Sequence, residues 1–323
     1  MNGARHDKRD GVNYWRVGGK YSVYPYALAA ILAGRVGLGP LRGIDVVVDT
    51  QNGIPFFARP VAGVPTVLLT HHLHKEQWPV VGPVLARLGW WLESRVAPAV
   101  YRGAPYVTVS PASRQDLETL GVHGAEIIEN GVDPIPPHVP RLAREAAIHL
   151  VTLSRLVPHK QIEHAMDTVA QIPEAVLDIV GSGWWEHSLR EYAEKLGLGE
   201  RVRFRGQVTE DYKHALLAQA DLHLMPSLKE GWGLAVMEAA QHRVPTVGYS
   251  FGLRDSVRDQ VTGRLVETPA QLLEATRDLI ADSAERERLG AGAEEFAAQF
   301  SWETTGRRFK DLLERVTGTT SAR

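Results

Sequence analysis

The hydrophobic positions in the second half of the chain recur in a regular order. Short apolar runs are separated by segments with helical spacing, such as 186–197, where Leu189, Tyr192, Ala193 and Leu196 form one stripe. The predicted strands are HLVTLS (149–154), AVLDIVG (175–181), RVRFRG (201–206), DLHLMPS (221–227) and VPTVGYS (244–250). Strands that alternate with helices predict βαβ units, and therefore a parallel sheet covered on both faces, as in a Rossmann-like domain.

The first half of the chain repeats this pattern less completely. Its predicted strands are GVNYWRV (11–17), DVVVDT (45–50), PTVLLT (65–70), PYVTVS (105–110) and AEIIEN (125–130). Helical spacing predicts a long helix within 82–103 and a short one over 113–121. In the short one, Ser113 and Asp116 resemble a capping box, and Gly121 is placed to end the helix.

A proline-rich segment separates the two halves. Prolines occupy four of the residues 134–140, which is typical of a linker. We predict an α/β protein of two Rossmann-like domains, residues 1–140 and 141–323, that face each other across a cleft. The amphipathic helix 301–316 is expected to pack back on the first domain. Ligands of open α/β sheets bind outside the carboxyl ends of the strands, so we expect the chemistry in the loops that follow them.

Composition narrows the function without naming it. The 323 residues include 36 Lys plus Arg and 38 Asp plus Glu, so the chain has no net positive charge that would attract nucleic acid. The chain has no Cys, which excludes thiol catalysis. The N-terminal segment MNGARHDKRDG is polar, and no apolar run approaches the ~18 residues of a membrane span. We expect a cytoplasmic protein, with peripheral contact to the inner face of a membrane left open.

The predicted helix within 82–103 bears on that contact. Trp90 and Trp91, flanked by Arg87, Arg95 and Arg102, would suit a helix that lies in a membrane interface. Such tryptophans more often pack inside a domain, and we interpret both as core residues.

Two cations follow the first strand of the second half. Arg155 offers a planar fork and Lys160 a point charge, which suits a diphosphate, although solvated surface cations are the alternative. After the next strand, Gly181 and Gly183 either admit a phosphate or form a tight turn into a helix. Glu186 stands where a dinucleotide-binding loop needs its third glycine, and this disfavours a dehydrogenase.

The stretch SLKEGWGLAVMEAAQ (227–241) places two carboxylates and two glycines at the start of a predicted helix. Gly231 and Gly233 free the backbone to point N–H groups at a ligand, with Glu230 at the edge of the loop. Glu238 lies in an otherwise apolar helix, where a buried carboxylate needs a partner. A ribose diol and a salt bridge are both open as that partner.

These segments, in their order along the chain, resemble the retaining glycosyltransferases of family 4, which have the GT-B fold. The resemblance is carried by the E-x7-E pair after MPS and by the R-x4-K pair after the strand 149–154. Each matching piece is modestly specific, and the ordered set is strongly so. The pieces are VTVSPASRQDLETLGV, IIENGVD, LSRLVPHK, DIVGSG, RVRFRGQV, ADLHLMPSLKEGWGLAVMEA, PTVGY and FSWETT.

The resemblance implies a site for a nucleoside diphosphate sugar, the donor. Arg155 and Lys160 would bind its diphosphate. Glu230 would hold the donor sugar, and Glu238 would bind the ribose hydroxyls. The other residues implied at the donor are Gly231, Trp232, Gly233 and Leu234, whose amides would lie at the sugar and phosphate, and Gln207 and Val208, beside the base.

The segment TVLLTHHLHKEQW supplies a histidine in the first half. In the family, a strand here ends in a histidine that faces the donor sugar; the pattern T-x-H selects His72, with His71 as the alternative. Three histidines in four residues would also suit a metal, but a strand end brings them together poorly and relatives need no metal. We therefore expect neither metal nor cofactor. The residues expected to act in catalysis are His72, Arg155, Lys160 and Glu230.

The chain departs from the family pattern in places. Trp232 replaces a common phenylalanine, which implies a bulkier neighbour for the donor sugar, and His242 and Arg243 replace small residues. Relatives have a strand, a glycine-rich loop, a helix and a second strand before the segment that resembles residues 10–20. Either the true start lies upstream of Met1, or the first domain lacks its initial β-α-β portion and has an altered acceptor side.

The expected function is transfer of a sugar, with retention, from a nucleoside diphosphate sugar to the hydroxyl of a natural product, glycan or lipid-linked acceptor. The resemblance implies a front-face route in which the leaving diphosphate helps to deprotonate the acceptor. Two alternatives stay open. One is a non-catalytic protein that binds sugar nucleotides, and the other is a phosphorylase or sugar-nucleotide hydrolase on the same scaffold.

Overall fold

The computed structural model describes residues 6–19, 21–143 and 148–318. The chain divides into two compact units. Unit 1 comprises Met1–Val109, Ser113–Ile128 and Phe309–Arg323, and unit 2 comprises Ser110–Ala112 and Glu129–Arg308. No helix in the described part of the chain combines the length and hydrophobicity needed to cross a membrane.

Unit 1 contains a parallel sheet and a separate hairpin. The hairpin pairs β1 (His6–Arg9) with β2 (Val12–Trp15), and the sheet has the order β3-β4-β5-β6. Its strands are β3 (Val47–Gln51), β4 (Thr66–Thr70), β5 (Tyr106–Thr108) and β6 (Glu126–Ile127). The helices are α1 (Val23–Arg35), α2 (Arg59–Ala62), α3 (Pro83–Trp91), α4 (Ala97–Val100) and α5 (Pro111–Thr119), with a 3-10 turn at Trp78–Val81 and a π-helix at Leu92–Val96.

Two elements of unit 1 differ from expectation. The strand predicted within 11–17 exists as β2, but it belongs to the antiparallel hairpin and not to the parallel sheet. Helix α1 was not predicted, because its apolar residues do not form one stripe: Ile31 is buried, while Tyr26 and Leu32 are exposed.

Unit 2 is built on one parallel sheet of order β12-β11-β10-β7-β8-β9. Its strands are β7 (Ile148–Leu153), β8 (Ala175–Val180), β9 (Val202–Gly206), β10 (Leu222–Met225), β11 (Thr246–Tyr249) and β12 (Gly263–Val266). The helices are α6 (Ile162–Ala170), α7 (Glu186–Lys195), α8 (Glu210–Gln219), α9 (Leu234–Ala240), α10 (Ser250–Leu253), α11 (Pro269–Ala281) and α12 (Ser283–Ala297), with 3-10 turns at Pro158–Lys160 and Gly199–Arg201. The last helix, α13 (Trp302–Thr317), begins in unit 2 and continues from Phe309 in unit 1.

The hydrophobic core explains these elements. In unit 2, apolar residues of the central strands, such as Leu150, Leu177 and Leu224, are wholly buried, as expected for strands covered on both faces. In unit 1, Val67, Val107 and Ile128 pack with Leu312, which lies in the part of α13 that belongs to this unit.

The strand order of unit 2 locates its ligand crevice. From β7 the sheet grows in one direction through β8 and β9, and in the other through β10, β11 and β12. Crevices of open α/β sheets lie at such a reversal, outside the carboxyl ends of the strands. The loops after β7 and β10 are therefore the first place to look for a site.

Candidate functional site

The loops after β7 and β10 are joined to each other. Leu228 donates its N–H to the carbonyl of His159 at 2.9 Å. The ammonium of Lys160 pairs with the carboxylate of Glu230, and the two side chains are only 11% and 12% exposed. A close pair so poorly solvated is a strong electrostatic contact that fixes both loops.

The loop after β7 presents its two cations differently. Val157 is extended and Pro158 starts the 3-10 turn that ends at Lys160. Gln161 then adopts a left-handed conformation, with φ of 48°, before α6 begins. Arg155 is exposed, and its guanidinium has no hydrogen-bonding or ionic partner among the described residues. Lys160 is thus held inside the crevice, while Arg155 stays available.

The loop after β10 depends on Gly233. This residue has φ of 80° immediately before α9, and a Cβ there would lie 2.6 Å from the hydroxyl oxygen of Ser256. Trp232 is buried and packs edge-on against Phe300, with the ring centroids 4.7 Å apart. The side chain of Trp232 is therefore part of the interior of unit 2, and Leu234 is the exposed residue of this turn.

Glu238 has an ionic partner inside unit 2. Its carboxylate accepts a hydrogen bond from Lys213 of α8 at 2.7 Å, and Lys213 also pairs with Glu210. Burial raises the pKa of Glu238, and Lys213 partly offsets that effect. Burial alone would lower the pKa of Lys213, but its hydrogen bonds to the two carboxylates outweigh burial and raise it. Of the two partners left open for Glu238, the salt bridge is present.

The glycines after β8 serve packing between backbones. A Cβ at Gly181 would lie 1.9 Å from the carbonyl oxygen of Ser154, and one at Gly183 would lie 2.1 Å from that of Leu156. Leu156 also receives a hydrogen bond from Trp185 and donates one to Ser182. The space that a missing side chain leaves is filled by the loop after β7, so these glycines form a tight turn and not a phosphate cradle.

Gln207 and Val208 follow the edge strand β9. Gly206 has φ of 66° and turns the chain away from the strand. Gln207 is exposed, whereas Val208 is half-buried beside the cluster of Val151 and Val180.

The histidines after β4 form a network in unit 1. His72 Nε2 lies 2.9 Å from the side-chain amide of Gln77, and its ring stacks on that of His74, with the centroids 4.5 Å apart. His74 reaches the Oδ1 of Asn52 at 2.8 Å and the carboxylate of Glu93 at 3.3 Å. Because Gln77 donates to His72 Nε2, the neutral ring of His72 carries its proton on Nδ1.

His71 is half-buried in unit 1. Burial, and then the charge of His74, lower the pKa of His71. Its carbonyl oxygen accepts a hydrogen bond from Ser113 at 2.7 Å. Ser113 lies inside α5, which begins at Pro111, so the predicted capping box is wrong and the serine ties the helix to the histidine segment. Within the described ranges, no group of three or more His, Cys, Asp or Glu side chains could hold a metal ion.

A comparison with known families assigns unit 2. Residues 139–296 match the model of the family described as glycosyl transferases group 1. This span includes Arg155, Lys160, Glu230 and Glu238. This segment of the chain therefore belongs to the group 1 glycosyl transferases.

The curated relatives of this glycosyltransferase carry the same kind of name. A GDP-mannose-dependent alpha-(1-6)-phosphatidylinositol monomannoside mannosyltransferase of Mycobacterium tuberculosis is 29% identical over 283 residues, which are 78% of this chain and 70% of the relative. A D-inositol 3-phosphate glycosyltransferase of Salinispora tropica is 39% identical over 129 residues, 39% of this chain and 26% of the relative.

Solved structures give the fold of this glycosyltransferase as GT-B. Sucrose-phosphate synthase from Thermosynechococcus elongatus matches with a TM-score of 0.81 at 20% identity, over 99% of this chain and 87% of that one. Anabaena HepE, in complex with UDP and glucose, matches with a TM-score of 0.74 at 20% identity, over 92% and 83%.

The structure of this glycosyltransferase also contains functional candidates that sequence reasoning missed. Lys213 is one, because its partner Glu238 comes from a different helix. His223 is another: it is wholly buried in β10, and burial followed by the charge of Lys160 lowers its pKa to about 3. His242 lies 2.7 Å from a nitrogen of His214, and burial lowers the pKa of His242 to about 4. No spacing in the sequence links these partners.

Proposed function

We propose that this glycosyltransferase moves a sugar from a nucleoside diphosphate sugar to an acceptor hydroxyl, with retention at the anomeric carbon. The observation that carries the proposal is the pairing of Lys160 with Glu230 at the reversal point of the sheet, beside the unpaired guanidinium of Arg155. A fork and a point charge suit a diphosphate. The named donors of relatives support the same class, since one is GDP-mannose-dependent and another holds UDP and glucose.

The roles follow from the chemistry of the transfer. The bond from the anomeric carbon to the diphosphate breaks, the acceptor oxygen bonds to the same face of the sugar, and the acceptor proton passes to the leaving diphosphate. Arg155 and Lys160 stabilise the charge that develops on that diphosphate. Glu230 holds hydroxyls of the donor sugar while its carboxylate stays paired with Lys160. This scheme uses no metal and no cofactor.

The remaining donor contacts are proposed in the same way. Glu238 accepts from the ribose hydroxyls while it keeps Lys213 as a partner. The amides of residues 231–234 face the sugar and phosphate, and residues 207–208 lie beside the base. The role of His72 at the donor sugar stays a prediction, as does a cytoplasmic location at the inner face of a membrane.

Release of nucleoside diphosphate from GDP-mannose, UDP-glucose and other sugar nucleotides tests the proposal. Lys160→Ala is expected to lower turnover by about 10²–10³-fold, because one preorganised charge on the leaving group is lost. Lys195→Ala, an exposed lysine of α7, is the matched control and keeps the wild-type rate. Unfolding curves of both variants establish that each is folded.

Two results would contradict the proposal. One is turnover by folded Lys160→Ala within about threefold of wild type. The other is consumption of the donor at the same rate with and without every acceptor tried, which favours a hydrolase or a phosphorylase. The anomeric configuration of the product, read by NMR, tests retention separately.

A further inference from the structure

The outer face of α3 is apolar and exposed. Val84, Leu88 and Trp91 lie at helical spacing, and their exposed fractions are 74%, 49% and 54%. Leu85 beside them is 55% exposed, and Val80 in the preceding turn is 55% exposed. Trp91 was expected in the core, and that interpretation is wrong; Trp90 is the half-buried one and packs against the core of unit 1.

The opposite face of the same helix is already packed. Gly89 is buried, and a Cβ there would lie 2.3 Å from the ring of Trp78. Glu93 and Ala97 continue this buried face. The helix therefore cannot turn its apolar side inward, and the outer face is a contiguous apolar surface that no described residue covers.

The charges on this surface have one sign. Arg87 and Arg95 are exposed, and the only acid of residues 83–100, Glu93, is wholly buried and hydrogen-bonded to Trp78. Arg95 also lines a cavity of about 730 Å³ with Arg102 and His123, and no acidic residue contributes to that lining. The apolar face thus borders a recess that favours an anion.

We propose that the outer face of α3, formed by Val84, Leu85, Leu88 and Trp91, docks on a lipid bilayer that contains anionic phospholipids. The apolar side chains enter the interface, Arg87 and Arg95 face the phosphates, and the cavity beside Arg95 gives a headgroup room. Amphipathic helices with tryptophan, leucine and basic residues bind membrane surfaces in this manner. The proposal goes beyond the proposed transfer and does not depend on it.

A second copy of the chain fits this face less well. In a two-fold interface the same patch faces itself, so the arginines would meet arginines. Glu93, the acid of this helical segment, cannot pair with them, because it is buried and accepts a hydrogen bond from Trp78. Anionic lipid supplies the missing negative charge.

Co-sedimentation of the full chain with sucrose-loaded vesicles tests the docking. Vesicles of phosphatidylcholine alone are compared with vesicles of equal parts phosphatidylcholine and phosphatidylglycerol. Wild type is expected to partition at least about tenfold more strongly onto the anionic vesicles, and less as salt rises. Equal partition onto both, or no binding to either, would overturn the proposal.

Two paired substitutions locate the surface. Leu88→Glu with Trp91→Glu, and separately Arg87→Glu with Arg95→Glu, should each weaken binding to anionic vesicles by at least about tenfold. The matched controls lie in unit 2: Val261→Glu, at a residue 50% exposed, and Lys195→Glu with Arg141→Glu, at exposed positions. These controls should bind as wild type does.

The remaining outcomes are also decisive. Wild-type binding by either α3 variant contradicts the docking surface. A dimer at sedimentation equilibrium that Leu88→Glu with Trp91→Glu dissociates, without vesicle binding, assigns the face to self-association and overturns the proposal. Sugar-nucleotide binding by calorimetry is measured on the same variants and should not change, so a failure here is distinguishable from a failure of the proposed function.

Discussion

Gly181 shows, at the scale of one residue, how a glycine that resembles a ligand loop can serve packing. Its φ is 128°, and the carbonyl oxygen of Ser154 occupies the place of a side chain. We expect Gly181→Ala to lower the free energy of unfolding by roughly 3 kcal/mol, because the added Cβ has nowhere to go. Urea titration measures this.

Gly197→Ala is the matched control for that substitution. Gly197 also has positive φ, 65°, but open space surrounds the place of its Cβ. It should cost only about 1 kcal/mol. Equal losses in the two variants would show that backbone conformation alone, and not the contact with Ser154, makes Gly181 necessary.

His223 is a second residue whose surroundings set its chemistry. It is wholly buried, and its Nδ1 lies 3.0 Å from the hydroxyl of Thr246. Its Nε2 has no hydrogen-bond partner among the described residues. Burial and the nearby Lys160 lower its pKa from the ordinary 6.5 to about 3, so the ring is neutral in the folded protein.

This pKa predicts acid sensitivity. Between pH 6.5 and about 3 the unfolded chain binds a proton at this residue that the folded chain does not. Stability that is present above pH 6.5 is therefore lost as the pH falls, with a slope of up to about 1.4 kcal/mol per pH unit. His223→Leu should reduce the slope of unfolding free energy against pH by up to that amount, in urea titrations at pH 7, 6 and 5. An unchanged slope in His223→Leu would refute the assignment.

At the scale of elements, the π-helix Leu92–Val96 places a buried carboxylate inside unit 1, where it anchors neighbouring segments by hydrogen bonds. Its Glu93 accepts hydrogen bonds from the backbone of His74 at 3.0 Å and from the indole of Trp78 at 2.7 Å. The wider turn lets a carboxylate point inward from a helix whose outer face is apolar. Insertions of this kind are frequent at functional sites, and here the insertion fixes the segment that carries His72.

Glu93→Gln tests how much these hydrogen bonds of the Glu93 carboxylate stabilise the fold. The substitution keeps the shape of the side chain but removes the charge and one acceptor, so at least one buried donor loses its partner. We expect a loss of about 1–3 kcal/mol in unfolding free energy. Glu118→Gln, at an exposed residue near Arg114 on α5, is the control and should change stability by less than about 0.5 kcal/mol. A neutral effect of Glu93→Gln would mean that the network does not hold the histidine segment.

A comparison of the elements with the sequence shows which of them the hydrophobic pattern could predict. Strands β7 to β11 were predicted because apolar runs bounded by turns are typical of strands buried on both faces. Helix α1 and strand β12 were not, since the first lacks an apolar stripe and the second is a short edge strand. The sequence predicted a helix within 82–103 but not which of its faces is buried. Trp91 was therefore assigned to the core, although it lies on the exposed face.

At the scale of the whole molecule, the proposed donor residues and the predicted histidine belong to different units. Arg155, Lys160 and Glu230 lie in unit 2, and His72 lies in unit 1. We therefore expect donor affinity to depend on unit 2 alone. His72→Ala should leave the donor Kd within about threefold while kcat falls by about a hundredfold. Calorimetry gives the first quantity and steady-state rates the second.

Lys160→Ala supplies the contrast in the same measurements. It should weaken donor binding as well as turnover, because the charge that binds the diphosphate in the ground state is removed. Loss of donor binding in folded His72→Ala would contradict this division of roles.

The sequence by itself determined the parallel sheet of unit 2 and the loops that carry its unusual residues, because period and turn chemistry are local properties. The resemblance to the glycosyltransferase family rested on the order of short motifs along the chain, which the sequence also contains. Only the tertiary structure decided which side chains meet. Lys160 pairs with Glu230, 70 residues away, because the sheet order makes β7 and β10 neighbours. The same holds for the ion pair of Glu238 with Lys213, for the contact of the Ser154 carbonyl with Gly181, and for the exposure of Trp91. Each depends on which elements pack together, and no local sequence pattern specifies that.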